Sequence, residues 1–397
     1  MRRVSVLAAL LLLECGTIMA LDNPRISLAV DSHGTPLLAW VGKQDDVARA
    51  YVSEWNGTRW LLVGSALNQG SKLSASYVSL ALDGNDTPIV AWTERPPEQW
   101  SGFANYSGKL RVERLVGSQW KPMGGALNQS ENTIADQPLL RLDSKGRPMI
   151  TWSEITSDFN VENVFFAKWG GDSWQMIDNG TLSTDVSTSS RARDFVFDSH
   201  DRPILTWSQQ LQSHQDFNIF VGHWDGRRWQ TDHGTLNMNE GRYAGAPVME
   251  LTKVDQPMVA FLQADKGFDL YVRTWNGTDW VTIGNSLNDR SGGANGPRIA
   301  LKQDGSPLVA WLENSGHEHL VVKSWDGAHW QPYGGILNRD PQSDALACDL
   351  RIDPEGHPVV AWTEVSGLGQ VDIELALWNG QAWSTHQLLL DPRADSQ

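Results

Sequence analysis

Disulfides are the first thing this chain does without. Its 397 residues hold 2 cysteines, Cys15 and Cys348, so a fold of this size must be held by burial and not by covalent staples. Beyond residue 20 no apolar run approaches the ~18 residues of a membrane helix, and no segment carries the 3.6-residue period of an amphipathic helix. Basic residues are short as well. Against 47 Asp and Glu stand 32 Lys and Arg, a net charge of −15, too little positive surface for a nucleic-acid binder. Phe (10) and Tyr (6) are few, yet there are 20 Trp. A fold for this chain has to explain that imbalance.

Arg2 and Arg3 precede an apolar run from Val4 to Leu13, and Ala20 offers a small residue for cleavage. Residues 1–20 therefore read as an export signal, with the mature chain, 21–397, periplasmic or extracellular. Cys15 leaves with the signal unless the chain is a lipoprotein, and in Leu12-Leu13-Glu14-Cys15 a Glu stands where a lipobox has a small residue.

The remainder is repetitive. A motif Pro-x-x-Ala/Thr-Trp/Phe begins at Pro36, Pro88, Pro148, Pro203, Pro257, Pro307 and Pro358, with spacings of 52, 60, 55, 54, 50 and 51 residues. After it comes Trp-Asn/Asp/Gly-Gly-x-x-Trp, at Trp55, Trp169, Trp224, Trp275, Trp325 and Trp378, with a degenerate copy from Leu115 to Trp120. Each unit closes on Leu-Asn or a relative, from Leu67-Asn68 to Leu390-Asp391.

Each copy predicts four strands. In the first, alternation marks a strand from Ile26 to Val30, then a polar turn from Asp31. Pro36 opens the second strand, where its missing N–H breaks no ladder. A third strand, Tyr51 to Trp55, leads into Asn56-Gly57, the signal for a two-residue type I′ hairpin, and a fourth runs from Thr58 to about Val63. Seven such units predict an all-β, seven-bladed β-propeller with four antiparallel strands per blade. The blades fall at about 24–68, 69–128, 129–183, 184–237, 238–288, 289–338 and 339–393. Because the chain starts and finishes on whole repeats, the ring is expected to close by face packing of the first and last blades, with no shared strand.

Units such as Trp275-Asn-Gly-Thr-Asp-Trp280, followed by Gly296 to Glu313, resemble the tandem Trp-rich repeats of secreted bacterial β-propeller proteins over the whole mature chain. Related propellers include lectins that bind sugars between blades and sialidase-type hydrolases. The sialidase Asp-box reads Ser-x-Asp-x-Gly-x-Thr-Trp, whereas Asp225 and Gly226 are adjacent here. The resemblance speaks to fold and leaves function to the site.

Nineteen Trp fall at three positions of the repeat, where large rings fill the gaps between sheets. The one left over, Trp100, sits with Phe103 and Tyr106 in the longest insertion, Arg95 to Gly108, a candidate contact surface that could equally fold back on the ring. Two and four residues before the turn position that begins with Asp31 stand Arg141, Arg298, Arg351, Asp194, Glu250 and Asp349, charges expected beside the central tunnel as a paired lining or an anion site. Two residues after the second-strand Trp come Glu94, Glu154, Glu313 and Glu364, replaced by Gln209 and Gln263 in blades 4 and 5. These carboxylates either cap loop N–H groups or converge on the tunnel mouth as ligands or an acid–base pair. His317 and His319 lack a third metal ligand at a recognisable spacing. No phosphate loop, nucleophile elbow or dinucleotide fingerprint is present, and no cofactor is expected.

Two readings follow. The first is an exported binding protein, monomeric, that recognises a carbohydrate or a protein on one ring face. The second is a propeller hydrolase or lyase at the tunnel mouth.

Overall fold

In a computed structural model the protein forms seven four-stranded antiparallel sheets, each built from consecutive strands. The structure describes residues 26–44, 47–68, 70, 72–96, 108–131, 133–156, 162–177, 188–211, 214–232, 234–239, 241–265, 267–288, 292–365 and 371–388. Blade 1 comprises Ile26–Val30, Pro36–Gln44, Val47–Trp55 and Trp60–Leu62. The innermost strands of blades 2 to 7 are Ser74–Leu82, Thr133–Leu142, Ser190–Phe197, Ala244–Leu251, Ala294–Leu301 and Ala345–Ile352. Every second strand opens on the proline of the repeat, as the register Val30↔Pro36 illustrates. Among the described residues there is no helix, hence none long and apolar enough to cross a membrane.

Seven apolar layers hold the ring together, one between each pair of neighbouring blades. Each layer contains the second-strand aromatic of one blade, packed against the blade before it. Trp40, Trp92, Trp152, Trp207, Trp311 and Trp362, with Phe261 in blade 5, are all at most 2% exposed. The layer that joins Trp40 and Tyr51 to Val359, Ile373 and Leu375 closes blade 1 on blade 7 without strand exchange. At the perimeter the two other Trp of the repeat meet edge to face, as in Trp55–Trp60 and Trp378–Trp383, with centroids 5.6 and 5.2 Å apart. The Trp excess is thus mostly wedge filling repeated seven times.

One expectation needs correction. The Asn-Gly turn does not form a two-residue type I′ hairpin: Trp55 pairs with Trp60, so the loop is Asn56 to Arg59. The Asn56 side chain accepts the N–H groups of Thr58 and Arg59 at 3.0 and 2.9 Å, and only Gly57 has positive φ. An Asx cap suits a four-residue loop better than a turn that would force Asn56 into the left-handed region. The two-residue loop appears instead in blade 2, where Val116 pairs with Gln119.

Exposed inner edges would be a liability in a ring of short sheets. They are covered blade to blade. The residue four before the turn position accepts the next blade's inward N–H: Ser27 from Leu80 (3.0 Å), Ser79 from Leu140 (2.9 Å), Asp194 from Met249 (2.9 Å) and Asp349 from Leu28 (2.8 Å). Blades 3, 5 and 6 carry Leu139, Val248 and Arg298 there, side chains that cannot accept. In blades 4 and 7, which follow blades 3 and 6, Asp194 and Asp349 use their second oxygen for their own neighbours' N–H, Phe195 and Leu350, both at 2.9 Å. A carboxylate stands in blades 4 and 7, where two acceptors are needed, and a hydroxyl in blades 1 and 2, where one suffices; blade 6, with Arg298 after Val248, lies outside this pattern.

The turn face obeys a similar rule. The left-handed turn position is Gly34, Gly146, Gly305 and Gly356 in four blades but Asp86, Asp201 and Asp255 in three. Each of those three carboxylates accepts the backbone N–H of a serine in the preceding turn, Ser32, Ser144 and Ser199. A bond to the neighbouring blade offsets the strain of a non-glycine residue at positive φ.

At the perimeter Gly334 has φ +88° and lies under the next blade's indole, so that an added Cβ would stand 2.6 Å from Trp383 Cδ1 and Nε1. That indole donates to Tyr333 O at 2.8 Å. Gly334→Ala is expected to cost about 3 kcal/mol, combining a left-handed alanine with a displaced Trp383. Chemical denaturation of the two proteins measures it, and a loss under ~0.5 kcal/mol would show that the loop yields freely.

Candidate functional site

The Glu series sits one strand register from the buried Trp, and residues i and i+2 of a strand share a face. Each carboxylate therefore lies beside its own indole. Trp152 Nε1 donates to Glu154 at 3.0 Å, Trp311 to Glu313 at 3.2 Å, Trp362 to Glu364 at 2.9 Å and Trp92 to Glu94 at 3.5 Å. The loop linking the blades supplies the other donors. Glu364 accepts the N–H groups of Arg339 and Asp340, both at 3.0 Å, and Glu154 accepts that of Gln129 at 3.0 Å and the Thr133 hydroxyl. Glu94 takes Arg111 Nε at 3.0 Å. All four are buried. Gln209 bonds Trp207 in the same manner, whereas Gln263, beside Phe261 with no N–H to offer, accepts from Met238 N at 2.9 Å. In blade 1 Gly42 leaves the place empty, and Trp40 Nε1 turns to Ser53 at 3.0 Å. In blades 3, 5 and 7 the position caps the loop between blades, and in blades 2, 4 and 6 it holds the indole of its own strand.

The tunnel charges do gather. Arg141, Asp194, Glu250, Arg298, Asp349 and Arg351 line a central cavity of about 140 Å³ that opens on the face of the blade connections. Arg141, Glu250 and Arg351 also line a wider hollow of about 560 Å³ toward the turn face. Arg141 Nη2 meets Asp194 Oδ1 at 2.8 Å, Arg351 Nη1 meets Asp349 Oδ1 at 2.8 Å, and Arg298 Nε lies 3.6 Å from the same oxygen. Burial opposes the charge on Arg141, yet Asp194 and Glu250 hold its pKa above the ordinary value. Burial, with Asp194 beside it, raises Glu250 against the pull of Arg141 and Arg351. Three cations face three acids, a paired lining. Cys348 also lines the cavity, and burial pushes its thiol up to about 12, so it is no nucleophile at neutral pH.

A third group was not foreseen from the sequence. Every innermost strand from blade 2 onward carries a β-bulge near its start. Six residues before the turn position, blades 4 to 7 have Ala192, Ala246, Gly296 and Ala347, whereas blades 2 and 3 have Tyr77 and Gln137. These two hold φ of +45° and +53°, a left-handed conformation that Ala246 shares in blade 5 at +49° and that Gly296 supplies without strain in blade 6. One residue earlier stand Asp136 in blade 3 and Arg191 in blade 4. Tyr77 hydrogen-bonds Gln137, and Asp136, Arg95 and Glu162 act on it electrostatically. Arg191 Nε meets Glu162 Oε2 at 2.6 Å, with its guanidinium 5.1 Å from the centre of the Phe217 ring. Burial, more than any neighbour, pushes Asp136 up to about 7, with Arg95 opposing and Glu162 adding; burial likewise raises Tyr77. Asp136 Oδ1 is buried and accepts no hydrogen bond among the described residues. Gln137 lines the central cavity, as do its neighbours Pro138 and Val78, while Tyr77, Asp136 and Arg191 flank that wall, the rim at blades 2 to 4, without lining it.

The insertion between the second and third strands of blade 2 leaves and rejoins at this rim. Arg95 ends the second strand opposite Ser74, and Gly108 bridges Ile134, two residues before Asp136. Trp100, Phe103 and Tyr106 themselves lie outside the described residues. His317 and His319 are engaged by loop contacts, with Asp344 at 3.3 Å and with Ser315 Oγ and Pro341 O at 2.8 and 2.9 Å. Ligand atoms of Asp31, His33 and Asp86, and of Asp353, Glu355 and His357, lie close enough together for a metal ion, but Asp31 and Asp86 already accept backbone N–H groups of their turns.

No protein-family model and no curated protein matches the sequence. Solved structures do match in fold. An ulvan lyase bound to a glucuronate–sulfated rhamnose disaccharide unit superposes with a TM-score of 0.63 at 11% identity, covering 92% of this chain and 94% of that one. A Hadza microbial sialidase gives 0.53 at 13% over 80% and 71%, and the Penicillium chrysogenum α-L-arabinanase complexed with arabinobiose gives 0.51 at 14% over 75% and 92%. What these proteins share with the chain is the propeller.

Proposed function

We propose that the protein is an exported carbohydrate-binding propeller whose ligand sits on the blade-connection face, over blades 2 to 4. The observation that carries this reading is the break in the repeat. Where blades 4 to 7 place alanine or glycine, blades 2 and 3 have Tyr77 and Gln137, and Gln137 lines the central cavity. The fold's occurrence in proteins that handle arabinobiose, sialic acid and ulvan supports a saccharide over a protein as the ligand. An acid–base reading would draw on Glu154 and Arg351, and these are occupied by Trp152, Gln129 and Asp349.

A glycan array probed with the mature protein tests the proposal, with an envelope pull-down alongside for a protein partner. Binding to a defined saccharide class is expected. Gln137→Gly should hold its melting temperature at or above the wild-type value while weakening that binding severalfold. An array without signal, or a protein captured in its place, overturns the reading.

A further inference from the structure

Charge on this protein is uneven. The chain carries −15 overall, yet one groove between blades is lined by three cations. Three repeat positions border that groove. The earlier blade supplies the residue before its third-strand Trp (Leu115 in blade 2). The later blade supplies the residue before its strand-opening proline and the third residue after its own third-strand Trp. Between blades 3 and 4 these are Lys168, Arg202 and Arg227. Between blades 2 and 3 they are Arg114, Arg147 and Asp172, and at the other five junctions none is Lys or Arg. Three cations coincide at one junction of the seven.

The hollow they line holds about 500 Å³ and lies on the turn face, away from the blade connections. Its apolar walls are Met149, Met176, Ile177, Pro203 and Trp224. Lys168 and Arg227 are exposed, and among the described residues neither side chain makes a hydrogen bond or an ion pair. Arg202 Nε is held by Asp198 at 2.7 Å. The two acids of the hollow are already served. Asp201 accepts the backbone N–H of Ser144 at 2.9 Å, with Lys145 and Arg147 at 3.8 and 3.9 Å. Asp225 accepts the Gln230 amide at 2.7 Å and the N–H groups of Arg228 and Arg227 at 2.9 and 2.8 Å, bonds that hold its pKa down at about 2. What is left over is positive.

We infer that the groove between blades 3 and 4 is a second ligand site, for an acidic saccharide whose sulfate or carboxylate groups meet Lys168 and Arg227. A guanidinium takes such oxyanions bidentately, and a cleft of one charge sign draws in ligands of the other. The apolar walls, Trp224 among them, favour a sugar over a bare anion, because they give a ring face something to cover. The site lies on the opposite face from the one proposed above and does not depend on it.

The test is calorimetric titration of the mature protein with a heparin hexasaccharide, which carries both sulfate and uronate, beside neutral maltohexaose and inorganic tripolyphosphate. The heparin sugar should bind roughly tenfold more tightly than either, and its affinity should fall roughly tenfold between 50 and 200 mM NaCl. Lys168→Gln/Arg227→Gln changes two exposed side chains. It should keep the melting temperature and weaken heparin binding roughly tenfold. Gln137→Gly, on the other face, should leave heparin binding unchanged. Equal binding of tripolyphosphate makes the groove a site for bare anions and overturns the saccharide. Heparin binding that survives the double substitution, or that Gln137→Gly weakens, overturns the groove, and no heparin binding at all overturns both. The reading of the connection face is judged by Gln137→Gly on the array ligand, so the two sites stand or fall separately.

Discussion

Replacing Asp349 by alanine is expected to cost about 3–5 kcal/mol, the range for removing one member of a buried, hydrogen-bonded charge group. Two buried N–H groups lose their acceptor at once, Leu28 across the ring closure and Leu350 in its own strand. Arg351 and Arg298 lose the carboxylate they face. Asp349→Ser should recover only part of the loss, because one hydroxyl serves one of the two N–H groups. The rule read from the other blades says why Ser27 and Ser79 suffice: the preceding blade already supplies the second acceptor. Arg298→Ser restores that acceptor in blade 6. The Asp349→Ser/Arg298→Ser pair is therefore expected to be more stable than Asp349→Ser alone, a favourable coupling of about 1 kcal/mol. Urea denaturation of the four proteins closes the cycle, and strictly additive losses would refute the acceptor rule.

The second large effect concerns the Glu series. Glu364→Ala strands the indole of Trp362 and two backbone donors in a buried site, with an expected loss of about 3–5 kcal/mol. Glu364→Gln keeps one oxygen in place, as Gln209 does beside Trp207, and should cost about 1–2 kcal/mol. A functional carboxylate behaves the other way, with Gln leaving stability intact and abolishing activity or binding. Measuring melting temperature and glycan binding on both variants separates the two: a loop cap lowers stability in the order Ala over Gln while binding at the rim of blades 2 to 4 persists. If Glu364→Gln removed binding at full stability, the position would belong to the site after all.

Much of the architecture was legible because every blade repeats the same solution. A proline that opens the second strand and an aromatic four residues on recur seven times, and a motif copied seven times outweighs the ambiguity of any single short strand. The tunnel charges were legible for the same reason, since alternation counted from one turn residue puts Arg141, Arg351 and Glu250 on the lumen side. The rim was not. A bulge inserts one residue into the inner strand, so alternation counted back from the turn fails at Tyr77 and Asp136, six and seven residues away. The hint available was residue size: Tyr77 and Gln137 stand in a column that blades 4 to 7 fill with Ala and Gly.

The Glu column shows a different gap. Its recurrence was plain, and recurrence alone favoured a structural cap. Choosing between a cap and a mouth required knowing where the blade connections place their N–H groups, which depends on the neighbouring blade and on no local pattern.

By itself the sequence determined the seven repeats, the four strands of each, the closed ring and the place of nearly every Trp, because burial at a fixed position within a blade is a property of the repeat unit. Tertiary structure alone decided which carboxylates are caps, which arginines are paired and which blades carry a rim unlike the rest. Those depend on contacts between blades 53 to 55 residues apart in the chain, or 321 across the ring closure, made by side chains whose partners no local periodicity names.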